Sequence, residues 1–74
     1  MEPKFHTGQQ VRAKNLVGDD LRQYNNMTGE VVSAKPSEMP IGDYILYLYD
    51  VIFDNGDLIQ AIPEDNLEPV TSLL

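Results

Sequence analysis

"YDVIFDNGDLIQAIPEDNLEPV", residues 49–70, decides how this chain folds. An apolar run of β-branched and aromatic residues enters Asn55-Gly56, and a second alternating run leaves it. Asn-Gly between two such runs is the strongest short hairpin signal, because a type I′ turn needs positive φ at both central positions. The spacing predicts a two-residue turn at Asn55-Gly56, with "DLIQAI" as the return strand. Pro63 then fixes φ, and "PEDNL" reads as one 3₁₀ turn in which Asp65 or Asn66 accepts backbone N–H bonds. "LEPV" is a brief last strand, and "TSLL" reads as a loose tail.

Moving towards the N-terminus, "YILYLYDVIFD" is the longest strand signal. Ile45, Tyr47, Tyr49, Val51 and Phe53 share one face, expected to be the core face, because Asp50 and Asp54 fall on the other with Tyr44, Leu46, Leu48 and Ile52. Leu46 and Leu48 make both faces apolar at the start, so that half is central or covered by a loop or a partner. "KPSEMPIGD" is a connector, broken by two prolines and a glycine. "TGEVVSAKP" holds a strand over about Gly29 to Ala34, with Val31 on one side and Val32 and Ala34 on the other. "LVGDDLRQYNNM" is a long loop, anchored by Leu21 and Tyr24 on one helical turn. The first strand lies around Gln10 to Lys14, where Val11 and Ala13 alternate with Arg12 and Lys14.

The expected architecture is therefore all-β: five short strands in an SH3-like small barrel, with a long first loop and a 3₁₀ turn before the last strand. The elements "G-x-x-V-R", "T-G-E-V-V", "Y-D-V-x-F-D-N-G" and "N-L-E-P-V" resemble those of SH3-like families over roughly residues 5–70. One group comprises Tudor- and KOW-type domains. Another comprises accessory proteins of electron transfer and their relatives: photosystem I subunit IV, the ferredoxin–thioredoxin reductase variable chain and the C-terminal domain of the nitrile hydratase β subunit. The resemblance implies a fold more than a function. Where the ferredoxin-docking families present basic residues, the second half of this chain has none, which argues against docking to acidic ferredoxins.

With 74 residues, of which 42 % are hydrophobic, the chain makes one small domain over 1–74, its core spanning about 5–70 between short tails. No cysteine is present, so disulfides and thiolate metal sites are excluded. No apolar run reaches the ~20 residues of a membrane span. "MEPKFHTGQQV" lacks the apolar stretch of a signal peptide, and the expected location is cytoplasmic.

Charge is unevenly spread. Residues 1–35 hold all five bases against four acids, whereas residues 36–74 hold eight acids and no base. An acidic half repels nucleic acid and attracts basic protein surfaces, although plain solubility also accounts for it.

Chemistry is hard to find. His6 is the sole histidine and reads as a solvated side chain. No serine lies in a nucleophile motif. Setting Gly56 at position 6 of a calcium loop puts Val51, Phe53 and Asn55 at 1, 3 and 5 and Ile62 at 12, so no ligand pattern emerges. The five glycines never cluster into a phosphate loop. Among the aromatics, Tyr24 and Tyr49 with Asp54 form one possible methyl-lysine cage, against the simpler reading of core residues.

The expectation is a non-enzymatic protein-binding module without a cofactor, either an accessory subunit or a small regulator. Its acidic residues Asp50, Asp54, Asp57, Glu64, Asp65 and Glu68 would meet a basic partner surface, with Tyr24, Leu48, Tyr49 and Ile52 as apolar or aromatic contacts. Two alternatives stay open. One is weak nucleic-acid binding by a KOW-like face of Arg12, Lys14, Arg22 and Lys35. The other is a phage-type inhibitor whose acidic face imitates DNA.

Overall fold

A computed structural model describes residues 3–37, 42 and 45–70. Five strands form one antiparallel sheet: β1 (Gln10–Ala13), β2 (Thr28–Pro36), β3 (Tyr47–Phe53), β4 (Leu58–Pro63) and β5 (Leu67–Pro69). Their order is β4-β3-β2-β1-β5, and 3₁₀ turns at Arg22–Tyr24 and Glu64–Asn66 complete a small barrel-like fold. Tyr44 and most of the proline-rich connector lie outside the described residues.

Alternation places the core. Val11 and Ala13 of β1, Val31 of β2, Tyr49, Val51 and Phe53 of β3, Ile62 of β4 and Leu67 of β5 all point inward and are buried. Phe5, ahead of β1, is also core: Gly8 N–H donates to the Val31 carbonyl, Val31 N–H donates to that of Gln9, and the segment is held across the sheet. Tyr24 stacks on Phe53 at 5.0 Å, and Phe5 meets Tyr49 edge-on at 5.4 Å.

Asparagine side chains close the loops. Asn25 Oδ1 accepts from Leu16 N–H at 2.7 Å while its Nδ2 donates to the Leu16 carbonyl, fastening the long first loop. Asn66 Nδ2 donates to the carbonyls of Lys14 and Asn15, and Lys14 N–H donates to the Asn66 carbonyl. These bonds tie the second 3₁₀ turn to the end of β1.

The late hairpin exists, but its turn differs from the two-residue type I′ expectation. Positive φ falls on Gly56, at 94°, and not on Asn55. Gly56 N–H donates to the Phe53 carbonyl, and Phe53 N–H donates to that of Asp57. This is a three-residue loop, a type I turn followed by a left-handed glycine. Asparagine and aspartate side chains favour it: Asn55 Oδ1 accepts from Asp57 N–H, and the Thr28 hydroxyl donates to Asp54. The longer loop changes the register. A two-residue turn would set Leu58 opposite Phe53, facing the core. The observed pairing is Ile52 with Leu58, so Leu58 faces out.

A second correction concerns β2. Its register shifts between Val31 and Ser33, so Ala34 pairs with Tyr49 and packs on the core side with Val31, not with Val32.

Two glycines test these features. A Cβ at Gly56 meets nothing within 4 Å, so Gly56→Val isolates backbone strain. It should cost about 1–2 kcal/mol in a denaturant titration, with Gly56→Asn costing less. A Cβ at Gly29 would lie 2.6 Å from the Ile52 carbonyl oxygen, so Gly29→Ala should cost about 1–3 kcal/mol through overpacking.

Candidate functional site

The outward face of the sheet can be read in rows across the strands. In one row Gln10 lies beside Glu30, Glu30 beside Ile52, and Ile52 beside Leu58. Ile52 is 42 % and Leu58 50 % exposed, an unusual placement for two adjacent large aliphatics. The neighbouring row runs Glu68–Arg12–Thr28, and Thr28 reaches Asp54. At the other end of β3, Lys35 of β2 lies beside Leu48.

Between these ends the sheet bends. Asp50 stands where β2 shifts register on one side of β3 and β4 shifts on the other. One carboxylate oxygen accepts from Ala61 N–H at 3.0 Å, and the other accepts from the Ser33 hydroxyl at 2.8 Å. The Ala61 bond above all, then that of Ser33, holds the Asp50 carboxyl below its usual pKa. Ala61 adopts φ of 60°, a left-handed conformation rare for a residue with a Cβ. The bend opens a groove of about 540 Å³ on the outward side, lined by Lys35, Pro36, Leu48, Asp50, Gln60 and Ala61 among others.

The expected site residues separate into groups. Leu48, Asp50, Ile52 and Asp54 come together on the outward side of β3, as their alternation requires. Tyr24 and Tyr49 are buried core residues whose rings pack on different phenylalanines, so they do not converge with Asp54 on an open cage. The Tyr24 hydroxyl donates to Asp57 at 2.6 Å, which raises its pKa. Glu64 accepts from the Tyr49 hydroxyl at 2.6 Å and from Lys4 N–H at 3.0 Å, at the barrel end. Glu68 lies on β5 and faces Arg12 at 4.0 Å. Asp65 is exposed on the second 3₁₀ turn.

Glu30, Leu58, Gln60 and Ala61 belong to the outward surface without having been singled out from sequence. Glu30 sits in the half richer in bases, and the other three depend on the β3–β4 register. Two bases of the nucleic-acid alternative are engaged with acids: Arg12 with Glu68, and Arg22 with Asp19 at 2.5 Å. Among the described residues, no three side chains cluster as metal ligands, and no helix is long and apolar enough to cross a membrane.

No family model and no curated protein matches the chain. A solved structure that does match is the solution structure of PetP, a subunit of the cyanobacterial cytochrome b6f complex, at a TM-score of 0.61 and 23 % identity. The match covers 96 % of this chain and 95 % of that one. The likeness is one of fold and extends over nearly the full length of both chains.

Two titrations test the geometry. Burial first, then the bond to Glu64, pushes the Tyr49 pKa up to about 12. The stability this contributes is fully present below the unfolded tyrosine value near 10 and is lost as pH rises towards 12. Tyr49→Phe also leaves the buried Phe5 N–H, which donates to that hydroxyl at 3.1 Å, without its acceptor. It should cost about 1–3 kcal/mol at neutral pH and weaken the alkaline limb of a stability-versus-pH curve. Asp50 has the opposite sign. Its lowered pKa contributes stability above the unfolded value near 4 that is lost as pH falls through the folded value. Asp50→Ala should therefore flatten the acid limb below about pH 4 in thermal melts.

Proposed function

We propose that this protein is a non-enzymatic binding module, an accessory subunit or small regulator of SH3-like type that docks on a protein partner through the outward face of its sheet. The observation that carries the reading is the exposed cross-strand pair Ile52–Leu58 with Glu30 and Asp54 at its rim. An apolar centre with a charged rim is the anatomy of a protein interface. The acids would draw in a basic partner surface and set orientation and association rate, while the two aliphatics supply the desolvated centre. The likeness in fold to a subunit of a larger complex supports the accessory role. The engagement of Arg12 and Arg22 with acids leaves less positive charge for phosphate and weighs against nucleic acid as the partner.

The test is binding to the partner captured by affinity purification and identified by mass spectrometry. The double variant Ile52→Thr, Leu58→Thr keeps strand-forming residues at both positions and should unfold at nearly the wild-type temperature. It should nevertheless weaken binding at least about tenfold, some 1.4 kcal/mol. Raising salt from about 0.05 to 0.5 M should slow association. Binding indifferent to both changes refutes the reading.

A further inference from the structure

The outward face of β3 is polarised along its length, and this polarity specifies the partner more closely than an acidic face does. Leu48 lies beside Lys35 at one end, and Ile52 lies beside Glu30 at the other, with Asp54 beyond. Asp50 lies between them, but both of its oxygens are already engaged, by Ala61 N–H and the Ser33 hydroxyl. Lys35 is the one base among the described residues lining the groove. A molecule crossing the groove thus meets the positive charge of Lys35, then Leu48 and Ile52 flanking an Asp50 carboxylate held by two neutral donors, and then the negative charge of Glu30.

Leu48 and Ile52 are four residues apart on one strand, about 13 Å at the rise of a β-strand. An extended segment has the same rise, so side chains at i, i+2 and i+4 fall on one side at matching intervals. An acid, an aliphatic and a base at those places would meet Lys35, the Leu48–Ile52 interval and Glu30. The sheet edge lies alongside: β4 pairs only with β3 among the described strands, and Gln60 and Ala61 of β4 form one wall of the groove.

We infer that the groove around Leu48 and Asp50 binds an extended segment of a partner protein carrying a carboxylate and a basic side chain four residues apart with an aliphatic residue between them. The segment lies with its carboxylate at Lys35 and its base at Glu30. The inference rests on the proposed docking face and adds the charge order and conformation of what docks there.

The probes are two capped pentapeptides, Glu-Thr-Ile-Thr-Lys and Lys-Thr-Ile-Thr-Lys, titrated into the isotope-labelled full chain and followed by backbone amide shifts. The mixed peptide should bind several-fold more tightly than the all-basic one, moving Lys35, Leu48, Gln60 and Ile52. Lys35→Glu should reverse that order. Lys35 is exposed, so the variant should fold, and its unperturbed amide spectrum elsewhere checks this. Tighter binding of the all-basic peptide to the wild-type chain on this face overturns the charge order and leaves the acidic docking reading standing. Equal affinity for the two peptides, or an order that Lys35→Glu does not change, also overturns it. Loss of partner binding in the Ile52, Leu58 double variant together with shifts confined to other surfaces overturns the groove alone. Intact partner binding in that variant overturns the docking face itself.

Discussion

One carboxylate holds the bend on which the rest of this surface depends. Asp50 accepts from Ala61 N–H on β4 and from the Ser33 hydroxyl on β2, and both strands lose register with β3 at that level. A bulge on one side of a strand kinks it, and bulges on both sides bend the sheet. Inward, the shift in β2 returns Ala34 to the core beside Tyr49. Outward, it opens the groove. The left-handed Ala61 carries a backbone cost of order 1–2 kcal/mol that an L residue escapes only where neighbouring bonds fix it, and the Asp50 carboxylate supplies such a bond.

Four acids of the second half accept hydrogen bonds from neutral donors, while Glu68 faces Arg12. Glu64 accepts from Tyr49 and from Lys4 N–H, Asp57 from Tyr24, Asp54 from Thr28, and Asp50 from Ser33 and Ala61. The donors are hydroxyls and backbone amides, so four carboxylates of a stretch that holds no base still find hydrogen-bond donors. A chain of this size buries little apolar surface, and long-range polar bonds such as Tyr49 to Glu64 and Asn66 to Lys14 help fasten its ends. Charge and architecture are therefore not competing explanations of the acidity. An acid that accepts one or two bonds still contributes its negative field to the surface.

The strands and the core face of β3 were legible because they depend on alternation. Tyr49, Val51 and Phe53 share a side in the sequence pattern, with Asp50 and Asp54 opposite, and the sheet obeys it. The 3₁₀ turn after Pro63 was legible because proline fixes φ there. The loop length at Asn55-Gly56 was not. The same dipeptide serves a type I′ turn and a type I turn ending on a left-handed glycine, and the choice lies with Asp54, Asn55 and Thr28 forming bonds around the turn. That choice shifts β4 by one residue and turns Leu58 from core to surface, so half of the exposed aliphatic pair was invisible to a reading of either strand alone. Bulges are harder still, since Ser33 and Ala61 have no local signature and are defined by a side chain on the strand between them. Phe5 enters the core from the segment ahead of β1, a long-range placement with no periodicity behind it.

An exposed edge strand with aliphatic neighbours invites unwanted pairing, and among the described strands β4 is such an edge. The distortion at Ala61 answers this hazard, because a residue at φ of 60° breaks the extended backbone that a further strand would need. Only the short stretch from Leu58 to Gln60 remains regular, too short for the long flat pairing that drives aggregation. The same distortion forms the wall of the groove. A surface able to accept a short segment but not a continuous strand thus follows from one hydrogen bond, that of Ala61 to Asp50, acting on both the edge and the face of the sheet.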